Sequence, residues 1–392
     1  MIKVLHIITD LALGGAEIML CRVLSQMDSA SFENEVISLT ALGEMADKIR
    51  DLGIPVRALG MKRGVPNPFA AVRLVRWVRS SKPQVVQTWM YHANLLGGLA
   101  AFFGGGVPSV WGIHHTDLHS LGNRRLTIWT AEACALMSGW LPKYVVFCSQ
   151  SALRSHIRLG YKTKKMEVIP NGFDLQAFKP DPYARLSVRA ELGIQPETIL
   201  IGIAARFHLI KDHHSFVRAA ARLHARYPQV HFVLFGNGVT AENAELDLWM
   251  AQAGIRDGCH LLGERKDIAR LFSAMDIVTS SSLSEAFPLA VGEAMACGTP
   301  CVVTNVGDSA LIVDKSGKIV PPGNPEALAE AWAELIEAGP DARRLLGMAA
   351  RRRVKQRFAL PAAVEHYQAI YTQLAGQIQK SDPERLHALK EI

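Results

Sequence analysis

What this sequence lacks narrows its class before any motif is considered. It has no C-x-x-C pair: its six cysteines are scattered, and the nearest two, Cys297 and Cys301, flank an expected helix end. That speaks against a disulfide framework or a thiolate metal site, and for reduced, mostly buried thiols in a cytosolic protein. No apolar run is long enough to be read as a membrane span. The best candidate, 92–113, is broken by Gly97, Gly98, Gly104, Gly105, Gly106 and Pro108, so it reads as a buried helix, a turn and a strand. Residues 1–9 are too short for a signal peptide, because Asp10 and the glycines follow at once. A complete G-x-G-x-x-G is missing, so a dinucleotide fingerprint is not supported. No D-x-D pair closes a strand, so no metal is expected to be held beside phosphates.

The chain has 392 residues and a net charge of +7, about half of it hydrophobic, which suits a soluble enzyme of two or three domains. The charge is uneven. Residues 1–180 hold 20 Lys and Arg against 12 Asp and Glu, while the rest is nearly balanced. A basic first half suggests an anionic partner, either a membrane surface or a phosphate-bearing substrate; nucleic acid has no motif behind it.

Short apolar runs at 4–9, 36–39, 85–88, 109–113 and 144–148 read as strands, and a second series follows at 199–204, 231–235, 260–262, 276–279 and 301–304. Helical periods lie between them, such as 215–227 with Phe216, Val217, Ala220 and Leu223 on one face. Alternation of this kind predicts α/β architecture with parallel sheets. It occurs twice, separated by the turn-rich stretch 169–182, I-P-N-G-F-D-L-Q-A-F-K-P-D-P. The expectation is therefore two doubly wound, Rossmann-like domains, 1–175 and 176–361, with ligands at the carboxyl ends of both sets of strands across one cleft. A terminal helix, 362–378 by its apolar period, docks somewhere.

The stretch that organises the second half is S-E-A-F-P-L-A-V-G-E-A-M-A-C-G-T, residues 284–299. It predicts a helix over 289–297, with Pro288 near its start, Gly298 as a C′ glycine and Pro300 blocking continuation. Glu285 falls on the preceding turn. Glu293 falls inside a helix otherwise lined by Leu289, Ala290, Val291, Ala294, Met295 and Ala296, where a carboxylate needs a partner. A backbone amide or arginine would serve, and so would a ligand rich in hydroxyl donors.

Other signals are open to two readings. Gly14 and Gly15 follow the first strand and either pack a tight turn or expose helix amides to an anion. His114 and His115 end the strand 109–113 and should point in different directions, as structural side chains or with one facing a ligand. Arg206 ends the first strand of the second half and Lys211 follows, either as a basic loop or as a clamp for a diphosphate. His213 and His214 beside it would cap or decorate the next helix. The segment 67–81 spaces Arg73, Arg76 and Arg79 on a basic amphipathic helix, an ordinary surface helix or a contact for anionic lipid headgroups.

Taken in order, G-G-A-E, the strand-end His, I-P-N-G-F-D, A-R-F-H-L-I-K-D, L-F-G-N-G, L-G-E-R-K-D-I, S-E-A-F-P-L-A-V-G-E-A-M-A-C-G-T-P-C-V and V-P-P-G-N-P-E-A-L-A-E-A resemble the GT4 group of retaining glycosyltransferases. The resemblance spans residues 14 to about 333 and is most specific in the E-x7-E stretch. It implies the GT-B fold, two Rossmann-like domains facing a central cleft, with the last helix, about 362–392, joining the first domain. It implies roles too. Glu293 would hold the ribose hydroxyls and Glu285 the donor sugar. Arg206 and Lys211 would bind the diphosphate, helped by the backbone of Phe287, Pro288, Leu289 and Ala290. His114, or His115 by a shift of one, would lie near the reacting sugar, with Gly14 and Gly15 near the phosphates and acceptor. Three positions depart from the pattern: Ala286 replaces the usual Gly or Ser, the stretch Val306-Gly-Asp308-Ser309-Ala310 lacks the acidic residue often found near Ala310, and the strand ends in A-A-R, at Arg206, where G-R is commoner.

The implied activity is a hexosyltransferase using a UDP- or GDP-hexose, with no cofactor and no metal. The expected acceptor is a glycan or lipid-linked molecule of cell-envelope, capsule or exopolysaccharide synthesis. The basic first domain would meet the cytoplasmic face of the inner membrane. Charge on the departing nucleoside diphosphate would be stabilised by Arg206, Lys211 and a helix N-terminus, with domain closure excluding water. Retention permits the leaving phosphate to take the acceptor's proton, so no carboxylate base is assigned. A nucleotide-sugar 2-epimerase of the same architecture, and a non-catalytic nucleotide-sugar-binding protein, are the alternatives.

Overall fold

The computed structural model describes residues 1–62, 67–116, 125–162 and 164–388, the last of these as backbone only from 378 onward. The chain divides into two compact units, Met1–Gly172 with Leu360–Ile392, and Phe173–Ala359.

The first unit carries seven parallel strands: β1 (Ile2–Ile8), β2 (Phe32–Ser38), β3 (Val56–Ala58), β4 (Val85–Trp89), β5 (Ser109–Ile113), β6 (Tyr144–Phe147) and β7 (Met166–Val168). Their order is β3-β2-β1-β4-β5-β6-β7. The second unit carries β8 (Leu200–Ala204), β9 (His231–Phe235), β10 (Cys259–Leu261), β11 (Ile277–Ser280), β12 (Cys301–Thr304) and β13 (Gly317–Val320). These order as β10-β9-β8-β11-β12-β13, again all parallel. Strand direction of connection reverses between β1 and β4 in one sheet and between β8 and β11 in the other. Those are the places where loops part and a doubly wound sheet binds ligands. Both units are thus Rossmann-like, and the architecture is that of the GT-B fold.

The central strands are almost wholly buried because helices cover both faces; Val4, Leu5, Ile7 and Ile8 on β1, and Leu200, Ile201 and Ile203 on β8, have no more than 1% exposure. β3, β7 and β13 were not expected from the sequence. All three are edge strands with half-exposed residues, so V-R-A, M-E-V and G-K-I-V carry no continuous apolar signal. In the second unit, Arg189, 1% exposed, ties the amino ends of β8 and β11. Its Nη2 meets Asp276 Oδ2 at 2.7 Å, and the same oxygen accepts from the Leu200 amide at 2.9 Å.

The last helix, Leu360–Ala388, begins where expected and is longer than its apolar period; the four residues beyond it lie outside the described residues. It belongs to the first unit, where Val364, Tyr367, Ile370, Tyr371 and Leu374 enter the core with β1 and β4. Tyr371 Oη donates to Gln87 Oε1 on β4 at 3.0 Å. The chain passes between units at Gly172–Phe173 and at Ala359–Leu360, and Phe173 bridges Ala359 in parallel. No disulfide joins the six cysteines, all of which lie among the described residues. Among the described residues no helix is long and apolar enough to cross a membrane.

Candidate active site

In the second unit, the loops after β8 and β11 are stitched together. Leu283 N donates to Ile210 O at 2.8 Å, and Ser281 Oγ reaches Lys211 O at 2.8 Å and Asp212 O at 3.1 Å. This brings the side chains of Lys211 and Glu285 into contact. Lys211 Nζ donates to Glu285 Oε1 at 2.5 Å, and Ser282 Oγ donates to the same oxygen at 2.7 Å. Both partners are shielded, at 22% and 12% side-chain exposure, so the pair is screened less than a surface ion pair. Lys211 ends a short 3₁₀ turn, Leu209–Lys211, and Asp212, at φ 49°, then caps the helix His213–Arg226 by accepting from Ser215 N.

Gly307 fixes the other side of Glu285. Its φ is 56°, and a Cβ there would stand 2.0 Å from Glu285 O, so both conformation and space demand glycine. The neighbouring Asp308 N donates to Ala286 O at 3.1 Å. Arg206 is exposed at the end of β8. Its charge and that of Lys211 reach His208, whose pKa is lowered first by burial and then by these two cations.

The helix Leu289–Ala296 begins at Pro288, and no side chain caps it. Leu289 and Ala290 are partly exposed while Val291 to Ala296 are buried, so only its first turn opens outward. Uncapped first-turn amides at the carboxyl edge of a sheet favour an anion. Glu293 lies inside the buried part, 7% exposed, and it has an interaction partner. Gly292 packs on Phe173, whose ring would be 2.0 Å from an added Cβ, and Phe173 stacks on Phe287 at 6.0 Å. His213 neither decorates nor merely caps its helix, as the sequence suggested. It is 2% exposed, lies against Phe207 at 5.5 Å, and burial holds its pKa down at about 4. The apolar wall supplied by Phe207 is what the linear sequence hides.

In the first unit, Gly14 starts the helix Gly15–Gln26, again without a side-chain cap. The loop before it rests on Gly43, where a Cβ would meet Leu11 O at 2.3 Å. Helix Tyr91–Phe103, after β4, also lacks a side-chain cap. Of the helices that follow the four switch-point strands, those after β1, β4 and β11 open without a side-chain cap, whereas the one after β8 is capped by Asp212.

The two histidines after β5 part company. His114 stacks on Trp89 with centroids 5.2 Å apart, while His115 meets the edge of Tyr91 at 6.4 Å. Both His114 ring nitrogens are closed off from solvent without a well-formed hydrogen bond. Burial pushes its pKa down to about 4, and Asn171 only partly offsets this, from a position short of good hydrogen-bond geometry. Trp89 is itself held: its Nε1 donates to His6 Nδ1 at 3.3 Å, leaving the His6 Nε2 proton for Asn34 Oδ1 at 3.1 Å. Met90, next in the chain, has φ 72° and ψ 164°, a conformation strained for any residue but glycine. Asp117, the end of the expected H-H-T-D turn, lies outside the described residues.

A sequence profile described as Glycosyltransferase Family 4 matches residues 13–177, and one described as Glycosyl transferases group 1 matches residues 198–338. The chain is a family 4 glycosyltransferase. Among its relatives is EpsF of Bacillus subtilis, named as a glycosyltransferase, 27% identical over 322 residues, covering 77% of this chain and 79% of EpsF. A D-inositol 3-phosphate glycosyltransferase of Xylanimonas cellulosilytica is 32% identical over 226 residues, covering 55% of this chain and about half, 52%, of that relative. The crystal structure of Anabaena HepE in complex with UDP superposes with a TM-score of 0.83 at 23% identity, covering 95% of this chain and all of HepE.

Of the residues singled out in this transferase's sequence, Gly14, Gly15, His114 and His115 lie in the first unit, and Arg206, Lys211, Glu285, Phe287, Pro288, Leu289, Ala290 and Glu293 in the second. The structure brings Lys211 and Glu285 together. It also adds Ser282, Gly307, Trp89, Met90 and Asn171, which the sequence reading passed over. Gly307, in V-G-D-S, and Asn171, in the turn-rich I-P-N-G-F-D, carried turn signals; the others had none. Among the described residues of the transferase, no group of three or more His, Cys, Asp or Glu stands together as a metal site.

Proposed function

We propose that this transferase moves a hexose from a nucleoside diphosphate sugar to a glycan or lipid-linked acceptor, with retention of configuration. The observation that carries the reading is the Lys211–Glu285 pair beside the uncapped start of helix Leu289–Ala296. Lys211 and Arg206 neutralise the diphosphate, and the backbone of Phe287, Pro288, Leu289 and Ala290 adds amides to its oxygens. A lysine has three donors, so Lys211 serves a phosphate oxygen while keeping Glu285 oriented. Glu285 then reads the sugar hydroxyls, and Glu293 the ribose. Gly14, Gly15 and His114 act from the first unit, on the phosphates, the acceptor and the reacting sugar.

Departure of the nucleoside diphosphate is the step in which negative charge grows, and fixed cations and helix amides stabilise it without a metal. The leaving phosphate takes the acceptor's proton as the new bond forms on the same face, so no separate base is assigned. His114, neutral near pH 7 because its pKa is about 4, offers a hydrogen bond rather than a charge.

UDP is the favoured nucleotide because the HepE structures are complexes with UDP, with UDP and glucose, and with UDP-glucose. In this reading the acceptor belongs to exopolysaccharide or envelope synthesis, at the cytoplasmic face of the membrane, and the relatedness to EpsF supports the glycosyl transfer itself. A thermal-shift panel of nucleoside diphosphates and their hexoses tests the reading. A rise of the unfolding midpoint with UDP and a UDP-hexose is expected by mass action. No shift with any member of the panel would overturn it.

A further inference from the structure

The helix Arg125–Met137 is apolar on both sides, although only one side is covered. Thr130, Ala131, Cys134 and Ala135 face the core. On the other side Leu126, Trp129 and Leu136 follow one another at helical spacing, and Trp140 continues the line. Trp129 is 63% exposed, Leu136 85% and Trp140 55%. The stripe does not end there. Trp140 meets the edge of Phe102 at 5.8 Å, and Phe102 meets Phe103 at 5.2 Å, both more than half exposed. A contiguous aromatic and aliphatic surface of this kind is uncommon on a protein that leaves it bare.

Its border is basic. Arg79 Nη2 donates to Phe103 O at 2.7 Å and so holds an exposed guanidinium at one end. Lys162 N donates to Ser138 Oγ at 2.9 Å, which seats an exposed lysine beside the turn leading to Trp140. Lys143 is exposed three residues beyond Trp140, and Arg125 is exposed at the helix start. Against these stands the exposed carboxylate of Glu132 on the stripe itself. The basic helix Pro68–Ser81 contributes less than its sequence suggests. Arg73 lies over Trp77 and is spent on Leu59 O, and Arg79 acts through its place at Phe103.

We infer that this stripe, with Phe102, Phe103 and Trp140, is the surface by which the first unit docks on an anionic lipid bilayer. Tryptophan and phenylalanine settle at the level of the headgroups, and the flanking cations meet anionic phosphates. A second copy of the chain is the poorer occupant, because a two-fold contact would set the same cations against one another. The inference gives the proposed lipid-linked acceptor a place to be met, and it rests on that reading only for its purpose. Binding is measured without sugar nucleotide, so failure here leaves the transferase reading standing.

The test is cosedimentation of the full chain with vesicles of phosphatidylcholine, with and without phosphatidylglycerol. The wild type should partition onto the anionic vesicles and be released by raised salt. Trp129→Ser with Leu136→Ser should weaken partitioning by at least about tenfold, from the apolar area it removes, with the unfolding midpoint and UDP binding unchanged. Wild-type partitioning that is absent, or that the double variant leaves unaltered, would overturn the inference. So would a dimer in sedimentation that the double variant dissociates, since the stripe would then be covered by a second copy.

Discussion

Lys211 Nζ and Glu285 Oε1 lie 2.5 Å apart, joining the loop after β8 to the loop after β11 across the switch point of the second sheet. The contact couples the residue proposed for the phosphates to the residue proposed for the sugar. Glu285→Gln keeps the shape and one acceptor oxygen but removes the charge. It should lower kcat by about 10²-fold or more while leaving UDP affinity within a few-fold, since UDP lacks the hexose that Glu285 would read. Steady-state kinetics beside calorimetry with UDP would measure both. Equal losses in the two quantities would mean that Glu285 serves the nucleotide.

Gly307→Ala should be costly out of proportion to one methyl group. The residue is held at φ 56°, and the new Cβ would stand 2.0 Å from Glu285 O. Strain and displacement together should destabilise by about 1–3 kcal/mol. Because the displaced carbonyl is that of Glu285, activity should fall more than the loss of folded protein explains. Urea unfolding and kinetics on the folded fraction separate the two effects.

Met90 offers a test of strain. Inside a helix alanine is more stable than glycine, but Met90 stands just before its helix, at φ 72° and ψ 164°. There the order should be the opposite, with Met90→Gly about 1 kcal/mol or more above Met90→Ala in stability. Thermal midpoints of the two variants decide it, and alanine ranking above glycine would mean that the strain is relieved in solution.

Stability should fall in mild acid. Burial holds His6, His114, His156 and His213 at about 4, against 6.5 for an exposed imidazole. The unfolded chain therefore binds more protons between these values, so their contribution is complete above pH 6.5 and is lost as pH drops from 6.5 toward 4. Each histidine accounts for on the order of 2–3 kcal/mol over that range. A urea midpoint that declines steadily from pH 7 to pH 5 is expected; a flat profile would mean that these rings are protonated or solvated in the folded state.

The central strands and the E-x7-E helix were legible because burial on both faces writes itself as continuous apolar sequence, and because Pro288 and Gly298 mark the helix ends. The edge strands β3, β7 and β13 were not, since water on one side removes the pattern. The site divides in the same way. Glu285, Glu293, Arg206 and Lys211 stand out as charges at the ends of strands or inside apolar runs. The Trp89–His114 stack does not, because it depends on the register that sets Trp89 opposite Gly112 on β5. Nor does the strain at Met90, since methionine carries no signal for a positive φ.

The most direct measurement is the affinity for UDP, by calorimetry, of the wild type and of Lys211→Ala at matched folded concentration. If Lys211 binds the diphosphate, the variant should keep its unfolding midpoint to within a few degrees and bind UDP at least about tenfold more weakly, as expected for loss of a charged hydrogen bond. Unchanged UDP affinity in a folded Lys211→Ala protein would contradict the assignment of this loop to the donor phosphates.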